Sequence, residues 1–434
     1  MSMYWQVPNG SPGRRADGLA GQRQTRPPDP LLAHRPTSLR IPPVIVAHLA
    51  DLHLGFRQYH RQTPAGLNQR EADVAHAFRR AVDQVIAARP DVVMLAGDLF
   101  HSVRPTNPAI LFAFRQLHRL REALPDAPLI IIAGNHDTPR SVETGSILAL
   151  FETLGADVVS ETQRRLAYPK LDLSVLAVPH PALLAGDHVF NPEGNETYQV
   201  LLLHGQIPNL YPWERHAPEY GGALVTPEEL TRGNWSYVAL GHYHVQREVA
   251  PRVWYSGALD YVSPNPWGEL ADERQHGITG KGWLKVDLAT REVIRQPVPL
   301  ARKVIDLLPL DGLGHTAAEL DAMLAISVEG IPGGHADQII RQVIWNVPRH
   351  VGREMNYTAI RSIKAEALHF QLDLRRPELH RESGSGAPGR RQTLPELVEA
   401  FLTNRPLPAD VDRDTFVRTG AELMASVERE WAEG

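Results

Sequence analysis

The chain has 434 residues, 43% hydrophobic and 22% charged, which is a soluble globular balance and more length than one ordinary core absorbs. It contains no cysteine, so disulfides, thiolate metal sites and cysteine nucleophiles are excluded. Its net charge of -5 excludes a protein that coats nucleic acid non-specifically; any nucleic-acid contact must use local positive potential from bound cations and arginine clusters. No apolar run is long enough to cross a bilayer and no charged start precedes an apolar stretch, so the expectation is a cytoplasmic protein with no membrane span.

Residues 1–40 are rich in Pro, Gly and Arg without periodicity and read as a disordered tail. Residues 44–48 form a short apolar run that predicts a buried strand, and Val74, Phe78, Val82 and Val85 recur at helical spacing within 71–88. A strand at 92–96, a helix at 108–120 opened by Pro108 and a strand at 129–133 follow. This rhythm implies parallel pairing with right-handed crossovers. Further strands are expected at 174–178, 200–203, 237–240 and 253–256, which points to a sheet that folds over or doubles into a sandwich. The expected domain covers 41–300. A small α+β unit follows at 301–381, with strands at 304–308, 339–347 and 368–374 and helices at 317–325 and 357–367. A flexible linker is read at 382–393, and two amphipathic helices at 394–402 and 414–431 make up the segment 394–434.

Five blocks at strand ends carry chemistry: Asp51-Leu52-His53, Gly97-Asp98, Gly134-Asn135-His136-Asp137, His204-Gly205 and Gly241-His242-Tyr243-His244. Open α/β sheets place ligand sites at the C-terminal ends of their strands. Each block alone has a bland reading, since Gly-Asp is a turn dipeptide and Asp-x-His a solvated strand end. Together, in this order and each after a strand, they read as one site. Asp51-x-His53 is expected to project both side chains from one side of an extended segment, and His242-x-His244 repeats the pattern. Carboxylate, imidazole and amide oxygen make a mixed O/N set that suits manganese, iron, zinc or magnesium. Asp98, the one isolated carboxylate, is the best bridge between two ions. Such a pair attracts phosphate, activates water and holds both oxygens of an in-line displacement.

At these residues the sequence resembles the calcineurin-like metallophosphoesterase superfamily, and within it the nuclease subunit of the double-strand-break repair complex, the SbcD type and its archaeal and eukaryotic relatives. The stretches that carry this are residues 48–55 (HLADLHLG), 97–101 (GDLFH), 238–244 (VALGHYH) and 254–257 (WYSG). The resemblance implies a four-layered α/β/β/α sandwich with an α+β capping domain, and two divalent ions, manganese foremost. Asp51, His53, Asp98 and His244 would hold one ion, and Asp98, Asn135, His204 and His242 the other. His136 would be a non-ligand that protonates or stabilises the leaving oxygen, with Asp137 either orienting it or capping the loop. His101 matches the archaeal and eukaryotic branch and is the second candidate catalytic residue, while His48 reads as a strand residue. The resemblance implies DNA as substrate, a homodimer and an SbcC-type coiled-coil ATPase partner. Phe401, Phe416, Leu423 and Met424 are candidate anchors for that partner, and Arg57, His60, Arg61, Arg104, Arg140, Arg361 and Lys364 candidate DNA contacts. The alternatives are a hydrolase of small phosphodiesters or phosphoproteins, and a non-catalytic scaffold of the same fold.

Overall fold

The computed structural model describes residues 43–139, 145–208 apart from 187 and 189, 210, 222–377, 393–407 and 411–433. The tail expected over 1–40, the linker expected over 382–393 save Thr393, and Arg140 lie outside them. The chain divides into two compact units, Met1–Val304 and Ile305–Gly434.

In the first unit the elements run β1 (Ile45–Leu49), α1 (Gln69–Ala88), β2 (Val92–Leu95), α2 (Asn107–Ala123), β3 (Leu129–Ile132), β4 (Asp157–Val159), β5 (Arg164–Tyr168), β6 (Leu173–Val178), α3 (His180–Leu184), β7 (Tyr198–His204), α4 (Pro227–Thr231), β8 (Tyr237–Gly241), β9 (Arg247–Ala250), β10 (Val253–Tyr255), α5 (Pro266–Gln275), β11 (Gly282–Asp287) and β12 (Glu292–Pro297). The helices begin where side chains satisfy their first N–H groups. Asn68 accepts from Arg70 N and Glu71 N at the start of α1, and Thr106 accepts from Ala109 N at the start of α2.

The strands form two six-stranded sheets, ordered β12-β11-β1-β2-β3-β4 and β5-β6-β7-β8-β10-β9. In the first, β1 to β4 are parallel and β11 joins antiparallel beside β1. In the second, β6, β7, β8 and β10 are parallel and β5 and β9 close the edges antiparallel. Apolar side chains fill three layers. Val46, Met94 and Ile130 meet Val175, Val200 and Leu202 between the sheets. Phe78 and Val82 of α1 and Leu117 of α2 cover the outer face of the first sheet. Leu183 of α3 and Leu230 of α4 cover that of the second. Strands covered on both faces read as continuous apolar runs, which is why β2, β3 and β7 are visible in the sequence. This is the expected α/β/β/α sandwich.

His48 lies in β1 on the inter-sheet face, and its Nδ1 is 2.9 Å from the Tyr237 hydroxyl. Burial pushes its pKa down to about 3, so it stays neutral, as fits a strand residue.

The second unit holds β13 (Val304–Asp306), β14 (Leu310–Asp311), α6 (Ala317–Glu329), β15 (Ile339–Trp345), α7 (Arg349–Glu354), α8 (Tyr357–Glu366), β16 (His369–Leu374), α9 (Leu394–Asn404) and α10 (Arg413–Glu433). Strand β15 pairs in parallel with β14 and with β16 in a four-stranded sheet. Leu320 and Leu324 of α6 and Ile360 of α8 pack with Ile340 and Ile344 in its core. Arg361 and Lys364 are exposed on α8. No described helix is long and apolar enough to cross a membrane.

Candidate metal centre

The parallel register brings the blocks to one rim of the sandwich. Leu49 pairs with Leu95, and the pairing continues past the strands through Asp51 N–H to Gly97 O at 3.1 Å and His53 N–H to Asp98 O at 3.0 Å. In the other sheet His204 pairs directly with Gly241, which places His242 beside it.

The expected extended geometry of Asp51-x-His53 is corrected by the structure. Asp51 (φ 54°), His53 (φ 44°), Asp98 (φ 52°) and His242 (φ 115°) all have positive φ. The side chains converge because the backbone turns at each, not because alternate strand positions share a face. Such conformations cost on the order of 1–3 kcal/mol each and persist only where surrounding structure over-determines them. Here the cross-block hydrogen bonds supply that, with His242 N–H donating to Asp51 Oδ1 at 3.0 Å. Gly97 and Gly241 are required by close approach, since a Cβ on either would collide with the His204 ring, and on Gly241 also with the Ala96 carbonyl.

The donors interlock. Asp98 Oδ2 lies 3.3 Å from His204 Nε2 and 3.7 Å from His53 Nε2, between the two groups. Asn135 Oδ1 lies 2.9 Å from His204 Nε2 and 3.2 Å from His242 Nδ1. His53 Nε2 and His244 Nε2 are 3.2 Å apart, and Asp51, His53 and His244 have ligand atoms within 4.8 Å of one another. Asp51, Asp98 and His204 meet the same condition, and so do His53, His101 and His136.

Outer partners fix which nitrogen carries the lone pair. His204 Nδ1 donates to the Ala96 carbonyl at 2.8 Å, so in the neutral ring Nε2 is a lone pair facing Asn135 Oδ1 and Asp98 Oδ2. In that neutral form three acceptors face one another, an arrangement that either a proton on His204 or a cation resolves. His244 Nδ1 is 3.3 Å from Glu269 Oε1, which leaves its Nε2 lone pair opposite His53 Nε2. The residues therefore fit divalent cations by the chemistry of their donor set.

Charge follows the same logic. Burial works against ionised Asp98, but the imidazoles, His204 first, hold its pKa well below the usual carboxylate range. Burial pushes Asp51 up to about 6 and presses His53 and His242 well below the ordinary imidazole value. Burial also opposes a proton on His204, but Asp98 and Asp51 hold its pKa up to about 9. Without a cation, that proton is the compensating charge for the buried carboxylates; a divalent ion takes its place.

His136 stands beside the donors. Its backbone N–H donates to Asp98 Oδ1 at 2.9 Å, and its Nδ1 donates to the His101 carbonyl at 2.8 Å. The rings of His136 and His101 stack with centroids 5.2 Å apart, and His101 Nδ1 is 3.3 Å from His53 Nδ1. Asp137 does not orient His136. Its buried carboxylate accepts from Leu99 N and Phe100 N, each at 3.0 Å, and Gly134 N at 3.2 Å, and so ties two of the blocks together as a loop cap. Three N–H groups in reach outcompete a ring that already has a carbonyl partner.

Arg57 pairs through Nε with the buried Glu71 at 2.6 Å, while His60 and Arg104 are exposed and Arg61 half-buried. Sequence reasoning missed three groups. His180, the first residue of α3, is buried at the same rim with its N–H on the Ala133 carbonyl at 2.9 Å. Its position just after β6 was the available signal. Glu269 and Lys281 reach His244 from a helix and a strand start well downstream, and no local pattern marks them.

Residues 45–246 match the family described as Calcineurin-like phosphoesterase. The chain is 30% identical over 211 residues to the DNA double-strand break repair protein Mre11 of Sulfurisphaera tokodaii, covering 46% of this chain and 49% of that protein. It is 26% identical over 258 residues to the Methanocaldococcus jannaschii protein of the same name, covering 58% and 64%. It is 40% identical over 272 residues to that of Aeropyrum pernix, covering 59% and 61%. The chain thus spans from about half to less than two-thirds of the length of these relatives. The crystal structure of Pseudomonas putida nuclease MPE aligns with 47% of this chain and 64% of its own at 14% identity and a TM-score of 0.20, a likeness too slight to rest anything on. By the family match and by sequence similarity to archaeal Mre11 proteins, residues 45–246 are a calcineurin-like phosphoesterase domain.

Proposed function

We propose that this chain is a metal-dependent DNA nuclease that hydrolyses phosphodiesters at a pair of divalent ions, manganese foremost, in double-strand-break repair. The observation that carries the reading is the convergence of lone-pair donors from both sheets on one rim, with Asp98 Oδ2 within 3.3 Å of His204 Nε2 and 3.7 Å of His53 Nε2. One ion is assigned to Asp51, His53, Asp98 and His244 and the other to Asp98, Asn135, His204 and His242; when bound, the pair supplies Lewis acidity and positive charge for phosphate and water. The protein's own part is positional. The left-handed turns and the partners of His204 and His244 hold the lone pairs in place. His136 delivers a proton from Nε2 to the leaving oxygen while its Nδ1 stays on the His101 carbonyl. His101 stacks on that ring and fixes its plane.

The proposal includes a capping role for the second unit, a homodimer, and docking of α9 and α10 on a coiled-coil ATPase. Leu397, Phe401 and Leu423 on these helices are exposed, and Phe416 and Met424 half-buried, which supports an apolar docking face. Chemistry and substrate handling should separate, because every assigned ligand precedes residue 245. Removal of residues 305–434 should leave hydrolysis of bis(nitrophenyl) phosphate within about threefold and lower duplex cleavage by tenfold or more, about 1.4 kcal/mol of lost substrate positioning. Circular dichroism of the truncated protein establishes that it is folded. A folded truncation that loses both activities equally would contradict this division.

A further inference from the structure

Among the described residues, one of the two ion positions in the nuclease reading has a charged support behind its ligands. Helix α5 places Glu269 in its first turn, buried at 3% exposure, with Glu273 one turn on at 2% and Lys281 at 2%. Glu269 Oε1 accepts from His244 Nδ1 at 3.3 Å and from Ser263 N at 3.0 Å. Its Oε2 receives the Lys281 ammonium in a short ion pair. The same ammonium donates to the His244 backbone carbonyl at 2.9 Å and forms an ion pair with Glu273 Oε1 at 2.9 Å. Tyr261 closes the cluster: its hydroxyl donates to Glu273 Oε2 at 2.7 Å, and its ring lies 4.5 Å from Lys281 Nζ.

Two features separate this cluster from an ordinary buried ion pair. It grips His244 twice, once at the ring and once at the main chain, so ring orientation and tautomer are fixed together. It also holds two carboxylates against one ammonium, so a buried negative charge remains behind the imidazole whose Nε2 faces His53 Nε2 at 3.2 Å. An unbalanced buried anion is costly unless a cation lies across the ring. Carboxylate-to-imidazole support of this kind orients a ligand and raises its donor strength. Among the described residues, the outer nitrogen of His204, on the other side of Asp98, is supported by a neutral carbonyl, that of Ala96.

We propose that Glu269, held by Lys281 and Glu273, is a positioning residue that sets the affinity of the ion assigned to Asp51, His53 and His244, and leaves the other ion untouched. This rests on the two-ion reading of the site but not on its being a nuclease. The test is titration of the metal-free full chain with manganese, followed by calorimetry and by the electron paramagnetic resonance signal of coupled ions. The wild-type protein should bind two ions. Glu269→Ala should weaken one binding event by ~10–100-fold, leave the other unchanged and lose the coupled signal at manganese levels that saturate the wild type. Glu269→Gln keeps the side chain's shape and loses its charge, and should weaken the same single event by about tenfold even where the alanine variant fails to fold. Glu273→Gln removes the surplus buried charge but keeps the Glu269 contact with His244, so it should weaken the same single event by less than Glu269→Gln does. Unchanged binding in both Glu269 variants, or equal weakening of both events, would overturn the proposal. If the wild-type protein bound both ions but cut no DNA, the nuclease reading would fall and this one would still be decided by the titration.

Discussion

Replacing His136 by alanine is expected to leave both ions bound and to lower DNA turnover by 10² to 10⁴-fold, about 3 to 5 kcal/mol of transition-state stabilisation. The geometry motivates each half of that statement. His136 meets the assigned ligands in two ways: its backbone N–H lies 2.9 Å from Asp98 Oδ1, which alanine keeps, and its ring packs edge-on against His53 with centroids 4.8 Å apart, which alanine removes without removing an assigned donor. Its ring is fixed through Nδ1 on the His101 carbonyl, which reserves Nε2 for the substrate. A proton donor matters most where the leaving group is most basic. DNA leaves as an alkoxide and bis(nitrophenyl) phosphate as a nitrophenolate, so the variant should be much less impaired on the nitrophenyl ester. Steady-state rates on both substrates, with metal content by elemental analysis, decide it. An equal defect on both would place the ring on the phosphoryl oxygens instead, and lost metal would place it among the ligands.

Asp98→Ala is expected to remove both ions together, whereas His53→Ala weakens mainly one. Asp98 Oδ2 lies between His204 Nε2 and His53 Nε2, and Oδ1 holds the His136 backbone, so one side chain serves both groups of donors and the Asn135–His136 turn. Removing it also deletes a buried negative charge that the surrounding imidazoles hold ionised. Because the ions' Lewis acidity is worth several kcal/mol, phosphodiester hydrolysis should fall by ~10³-fold or more. Elemental analysis after gel filtration reads the stoichiometry, and a fully dinuclear Asp98→Ala protein would remove the bridging role.

Much of the site was legible because its assigned ligands and His136 lie within four positions of strand ends, and the strands themselves are apolar runs covered on both faces. Asp51, Asp98 and Asn135 follow β1, β2 and β3 in this way, and His204 ends β7. The local conformation was not legible. An Asp-x-His pair after a strand suggests extension, and only the structure reveals left-handed backbone at both residues. Strand β12 escaped notice because it is a half-exposed edge with a polar sequence, and β4 and β9 are too short for a period to register. For Asp137 the sequence leaves open a partner of its chain neighbour or a loop cap, and the carboxylate takes the second role, turning to the N–H groups of the preceding block, 38 residues earlier at Leu99. Glu269 was invisible for the same reason: its contact with His244 exists only once α5 has folded against the rim, 25 residues downstream.

Incubation of metal-stripped protein with end-labelled linear duplex DNA, with and without manganese, tests the central claim most directly. The expected result is no cleavage without metal, phosphodiester cleavage on adding manganese, and no recovery in Asp98→Ala at any manganese concentration. Cleavage by the stripped protein, or full recovery in the Asp98 variant, would contradict it.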